Sequence, residues 1–174
     1  IKTGKTEAGT RFGTTWPNAC QWLESGKTRL HALTKTHDSV ERATHMGQPD
    51  KHAMFGIDVP CPSASVYDKD TKAKNQNNIY LADPSWVGFR APGNPSKVVI
   101  IEPSTHSDDS VQETIVHEVQ HDADHHAKTD DGGDAWGRYS TEFRAYWIDG
   151  TYRDRSGASG SAKSGLSVKD HEGK

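Results

Sequence analysis

The residues whose types and spacing could do chemistry are His117, Glu118 and His121, which read His-Glu-x-x-His within DSVQETIVHEVQHDADHHA, residues 109–127. Two histidines four apart lie on one helix face, about 6 Å from each other along the axis. Imidazoles so placed can close on one tetrahedral Zn²⁺ while the glutamate beside them reaches a water on the metal. On any other backbone the same letters point apart, so the meaning rests on this stretch being helical.

The flanking residues supply that helix. Ser107, Asp108 and Asp109 offer capping oxygens and put negative charge at the start, where the helix dipole favours it. No Gly or Pro interrupts the run to Ala127. With His117 as zero, Val111, Ile115, Val116 and Val119 fall between about 120° and 260°, an apolar stripe for a core. His117 and His121 fall near 0° and 40°, with Glu118 near 100° on the flank, so the ligands face a cleft. Valine and isoleucine are mediocre helix formers, so packing must hold this helix.

Two histidines leave a catalytic zinc one protein ligand short. Glu142, in STEFRAYW, is the leading candidate: it follows His121 on a second helical stretch that can fold back across TDDGG, residues 129–133. Tyr139, Phe143 and Tyr146 would anchor that helix, and Arg144 would orient it. The competing reading of Glu142 is a surface carboxylate paired with Arg138 or Arg144. Asp134, close to the turn, is the runner-up ligand. His125 lies about 12 Å from His117 along a straight helix, too far to share a metal. It, Asp122 and Asp124 read better as groups behind the ligands or in the cleft wall.

From apolar strand to second helix, residues 98–150 resemble the zincin metallopeptidases. His117, Glu118 and His121 match that family's motif residue for residue, and Glu142 with Ala145 is similar to the E-x-x-A pattern of its gluzincin branch. Metzincins continue with a glycine and a third histidine, where this chain has Asp124 and Ala127. Aspzincins take an aspartate from a segment that GGDAWG, around Asp134, resembles loosely. The resemblance implies a zinc cofactor and hydrolysis of peptide bonds in a protein or peptide substrate. Small zincins with sparse cores and Gly/Ser-rich ends also resemble effector or toxin domains of bacterial secreted proteins. That likeness implies delivery outside the producing cell and an immunity or carrier protein as a further partner.

The chemistry expected is metal-assisted hydrolysis, in which zinc acidifies a water towards a pKa of about 7 and polarises the carbonyl. Glu118 takes the water proton and passes it to the leaving amine. A further donor must stabilise the oxyanion, and Tyr139, Tyr146, Arg138 and His125 all stand as candidates, the two tyrosines foremost. Two other functions share the motif: a zinc amidase acting on peptidoglycan peptides, and a binding domain with structural zinc. An open fourth zinc position separates the enzymes from the binding domain.

The rest of the chain sets the frame. Its 174 residues suit one domain, and 32% hydrophobic against 26% charged residues implies one modest core with long irregular connections. A net charge of −3 without a dense basic run argues against nucleic acid as the partner. No apolar stretch approaches a membrane span. The chain opens at Ile1 without a signal-peptide pattern, as expected of a processed form or an excised domain. Cys20 and Cys61, if bridged, would close a loop worth about 4 kcal/mol in the chain-entropy model. An exported protein would bridge them and a cytosolic one would keep two thiols.

Residues 1–15 read as an extended arm. A helical pattern then runs from Trp16 to about Lys35, with a break allowed at Ser25-Gly26. His31, His37, His45 and His52 have no chelating neighbours and read as packing or surface histidines. Met54, Phe55, Ile57 and Val59 mark a strand before Pro60, and 68–77 is a polar loop. NIYLA (78–82) and VVIIE (98–102) are clearer strands, the second apolar on both faces. The Pro-rich connection between them reads as a long loop framing a cleft. Residues 134–152 are helical, with Trp136, Tyr139, Phe143, Tyr146 and Trp147 forming an aromatic face. The expectation is an α+β zincin-like catalytic domain over 1–155, with a small mixed sheet and an active-site helix, followed by a Gly/Ser-rich tail over 156–174.

Overall fold

The computed structural model describes residues 16–59, 61, 79–128 and 135–156. The elements in chain order are α1 (Trp16–Glu24), β1 (Thr28–Lys35), α2 (Ser39–His45), β2 (His52–Val59), β3 (Ile79–Ala82), β4 (Gly88–Ala91) and β5 (Ser96–Ile101). A 3₁₀ turn (Pro103–Thr105) then leads to α3 (Asp108–Ala127) and α4 (Ala135–Ser156). The arm, the polar loop, TDDGG, Asp134 and the tail beyond 156 lie outside the described residues. No described helix is long and apolar enough to cross a membrane.

The sheet is mixed, in the order β3-β2-β1-β5-β4. Only β1 and β5 run parallel; the other neighbours are antiparallel. Leu30 and Ala32 of β1, with Val98 and Ile100 of β5, face the helices, while Leu33, Val99 and Ile101 bury the opposite face. Helices α1, α3 and α4 cover the first face with Leu23, Val111, Ile115, Val119 and Ile148.

Two sequence expectations are corrected here. The helical pattern assigned through Lys35 ends at Glu24: Gly26, at φ +77°, turns the chain, and the remainder is the central strand. A strand buried on both faces has no polar alternation, and Leu30 and Leu33 happen to fall at helical spacing. The connection between the second and third expected strands is not all loop, because it contains β4, the edge strand beside β5. Its four residues carry little apolar signal of their own; pairing with β5 makes them a strand. The short helix α2 was not anticipated.

The long helix forms as its sequence requires. Ser107 Oγ accepts from the Ser110 backbone N–H at 3.2 Å, and Asp108 and Asp109 occupy the first turn. Val111, Ile115, Val116 and Val119 are buried to 3% exposure or less. Burying each contributes about 1.5–3 kcal/mol, against a propensity penalty of about 0.5 kcal/mol, so packing decides the conformation. Gly88 lets α3 lie close on β4: a Cβ there would stand 2.6 Å from Thr114 Cγ2 and 2.8 Å from the Val99 carbonyl oxygen.

Two fully buried carboxylates fix the helix laterally. Asp122 accepts from Trp22 Nε1 on α1 (3.0 Å), Arg90 Nε on β4 (3.0 Å) and Ser96 Oγ on β5 (2.5 Å). Asp124 accepts from Arg144 Nε on α4 at 2.8 Å and from Gln120 Nε2 at 2.8 Å. The cysteines are bridged, with Cα atoms 5.4 Å apart, tying α1 to the chain beyond β2.

Removing the Asp122 carboxylate strands the partly buried Arg90 guanidinium, the Trp22 indole N–H and the Ser96 hydroxyl. Asp122→Ala should therefore cost about 3–5 kcal/mol and lower the thermal midpoint by at least about 6 °C. A midpoint within about 2 °C of the parent would show that this junction carries little of the stability.

Candidate metal centre

His117 and His121 stand one turn apart on α3, and Glu142 reaches them from α4. The two imidazole Nε2 atoms are 3.1 Å apart. Glu142 Oε2 lies 3.5 Å from His117 Nε2, and its Oε1 lies 3.5 Å from His121 Nε2. One ligand atom from each residue falls within 4.8 Å of the others, and this is the group among the described residues that could hold a metal ion. Two nitrogens this close cannot both point protons at each other. A proton or cation shared between them removes the conflict.

The donor set suits zinc. Ligand atoms about 2.0–2.1 Å from a tetrahedral ion are about 3.3 Å from one another; the imidazole pair stands at 3.1 Å, and each imidazole stands 3.5 Å from one of the two Glu142 oxygens. Two imidazoles with one carboxylate make three protein ligands, the number that leaves a fourth position for water or substrate.

The neighbours explain why His117 is oriented as it is. Its Nδ1 donates to Asp149 Oδ2 at 3.0 Å, since a carboxylate can only accept, and that turns Nε2 towards His121 and Glu142. Tyr146 packs edge-on against the same ring, with centroids 4.7 Å apart. Burial works against a charge on His117. The hydrogen bonds to Asp149 and Glu142, and the nearby Glu118 charge, outweigh it and raise its pKa to about 10. Hydrogen bonds from His117 and His121 hold the Glu142 carboxyl well below the usual carboxylate range.

Glu118 occupies the flank of α3, only 8% exposed, and accepts from the Arg90 backbone N–H. The Ile101 N–H bonds the Val87 carbonyl, so pairing on β4 falls at Phe89 and Ala91. The main-chain groups of Gly88 and Arg90 therefore turn outward, away from β5. Burial pushes the Glu118 carboxyl up, although both histidine charges oppose this. Burial likewise raises the Tyr146 phenol, keeping it a hydrogen-bond donor near neutrality.

Four expected residues thus assemble: His117, His121, Glu142 and, against the first ring, Tyr146. Glu142, Tyr146 and Asp149 recur at i, i+4 and i+7 along one face of α4. Tyr139 lies on that face one turn before Glu142, its ring stacked on Trp136 and Phe143. Arg138 and His125 are exposed, and His125 stands beside His126. Asp122 and Asp124 anchor α3 to the body. Arg144 orients α4 through Asp124, which its Nε meets at 2.8 Å. Asp134 lies outside the described residues. Sequence reasoning missed Asp149, whose signal was its spacing seven residues after Glu142.

No protein-family model matches the chain, and no curated protein or solved structure matches it either.

A metal ion bound at His117 would have to displace a proton. Stripped of metal, the folded protein keeps the His117 proton up to about pH 10, against 6.5 in the unfolded chain. The stability this contributes is complete below pH 6.5 and is lost as pH rises through 10. Folded protein with metal on that nitrogen holds no such proton, so its stability rises up to about pH 6.5 and then levels. The difference in melting temperature between zinc-loaded and chelator-treated protein should widen steadily from about pH 5 to about pH 9.5. A constant difference would mean that metal does not bind at His117.

Proposed function

We propose that this chain is a zinc-dependent peptide hydrolase of the zincin type, with His117, His121 and Glu142 holding the metal and Glu118 as the base. The observation that carries the reading is the convergence of two imidazoles and a carboxylate within 4.8 Å, beside a glutamate that makes no part of the group. A zinc ion held by such a set acidifies water and polarises an amide carbonyl.

The chain's own residues then divide the work. Glu118 is one residue from a ligand yet points off the flank of α3, where its carboxylate can take a proton from an attacking water and return it to the leaving amine. Its burial raises its pKa, which brings the carboxyl closer to the range useful for both steps. Tyr146, kept protonated and packed on His117, is the hydrogen-bond donor best placed to steady the developing oxyanion. Tyr139, one turn before Glu142 on α4, is the alternative. Asp149 fixes the ring of His117.

Substrate access follows from the sheet. β4 is an edge strand next to Glu118, and an extended peptide can pair along such an edge. The Cys20–Cys61 bridge supports action in an oxidising compartment, as a secreted or delivered protein requires.

Glu118→Gln removes the proton acceptor without removing a ligand. The variant should keep its zinc and fold, while turnover of an unstructured protein such as casein falls by at least about 10²-fold. Unchanged turnover in the folded, zinc-loaded variant would assign Glu118 a structural role and end this reading.

A further inference from the structure

A second feature of α4 lies beside the metal group. Trp136, Tyr139, Phe143 and Trp147 form a ladder of rings whose successive centroids are 5.6, 6.3 and 6.0 Å apart, with interplanar angles of 25°, 24° and 33°. The ladder grades from core to solvent. Trp147 packs on the hydrophobic core and Phe143 is half-buried, while Tyr139 is 46% and Trp136 72% exposed. Two large apolar rings held out in water at one end of a helix mark a contact surface.

Its position says what that contact is. With Glu142 as zero on the helix wheel, Tyr139 falls near 60°, Phe143 near 100° and Trp136 near 120°. Ala145 and Ile148, which face the core, lie between about 240° and 300°. The ladder therefore borders the metal-facing sector directly. Tyr139 is about 4.5 Å and Trp136 about 9 Å from Glu142 along the axis. An extended peptide advances about 3.3 Å per residue, so these rings flank positions about one to three residues from a bond held at the metal.

We propose that the ladder is the specificity surface of the site, receiving a large aliphatic or aromatic side chain of an extended peptide two or three residues from the bond at the metal. This rests on the hydrolase reading above. The occupant follows from continuity: the part of a bound chain that leaves the metal group towards the N-terminus of α4 passes Tyr139 and then Trp136. The ring geometry selects the side chain. Tyr139 stacks on both Trp136 and Phe143, and it stays 46% exposed beside Trp136 at 72%; aromatic rings so presented pack well against a large apolar side chain.

The test uses fluorescent peptide mixtures randomised except at one position, which is fixed in turn as Phe, Leu, Ala or Glu. Turnover is measured on the zinc-loaded protein and binding on the zinc-loaded Glu118→Gln variant. Wild type should prefer Phe or Leu over Ala and Glu by at least about 10-fold in kcat/KM at one position. Trp136→Ala should reduce that ratio below about 3-fold with zinc content and melting temperature unchanged, and Trp136→Phe should restore it. Turnover without any preference, or a preference that survives Trp136→Ala, overturns the ladder proposal and leaves the hydrolase reading standing. Tight binding of Phe-fixed peptides that needs Trp136, without turnover in wild type, does the reverse. Neither binding nor turnover overturns both. A dimer that Trp136→Ala dissociates would give the ladder to a second copy of the chain and overturn the proposal.

Discussion

The distance between α3 and α4 governs whether the three ligand atoms can meet, because two of them belong to one helix and the third to the other. Helices pack through side chains that tolerate sliding, so apolar contact between Ile148 and the α3 stripe leaves register underdetermined. The Asp124–Arg144 pair supplies it: a carboxylate with no exposure bonds a guanidinium at 2.8 Å, two residues from Glu142. Asp122, two residues earlier, does the same work towards the sheet through Arg90 and Ser96. Alternate residues of one helix thus tie it to opposite sides of the site, and between them His121 has little freedom to move.

Burying this many charges is costly, and the pattern shows how the cost is met. Asp122 and Asp124 are each bound to an arginine. The carboxylates of the candidate centre, Glu142 and Asp149, meet the imidazoles of His117 and His121, with Glu118 close enough to act on His117. Burial opposes the His117 charge while its carboxylate neighbours hold it, so in the metal-free protein a proton sits where a dication could. Structural pairs are neutralised by fixed cations, whereas this group is balanced by an exchangeable one. That difference separates the candidate centre from the anchors only a residue or two away on the same helix.

Much of this was legible in the letters, and the exceptions have physical causes. The helix of His117 and His121 could be read because its cap, its uninterrupted run and its apolar stripe all agree. Glu142 could be chosen because Phe143 and Tyr146 marked a second amphipathic helix, although nothing local set its register against α3. β1 was misread because a strand buried on both faces carries no period-two signal. β4 was missed because Gly-Phe-Arg-Ala becomes a strand only by pairing with β5. Asp122 and Asp124 looked like cleft residues because a polar letter gives no hint of a distant arginine; Arg90 and Arg144 lie 32 and 20 residues away. Asp149 was overlooked for the same reason, its partner being 32 residues back on another helix.

The central claim is that one zinc ion takes two imidazoles and one carboxylate from this chain and keeps a fourth position open. X-ray absorption at the zinc edge, on protein loaded with one equivalent, reads that shell directly. The account predicts two imidazole nitrogens at about 2.0–2.1 Å and two oxygens near the same distance, with no sulfur. In Glu142→Ala, zinc affinity should fall by orders of magnitude, and added chloride should enter the weakened shell more readily than in the parent. A shell containing sulfur, a third imidazole, or an identical spectrum and affinity after Glu142→Ala would contradict it.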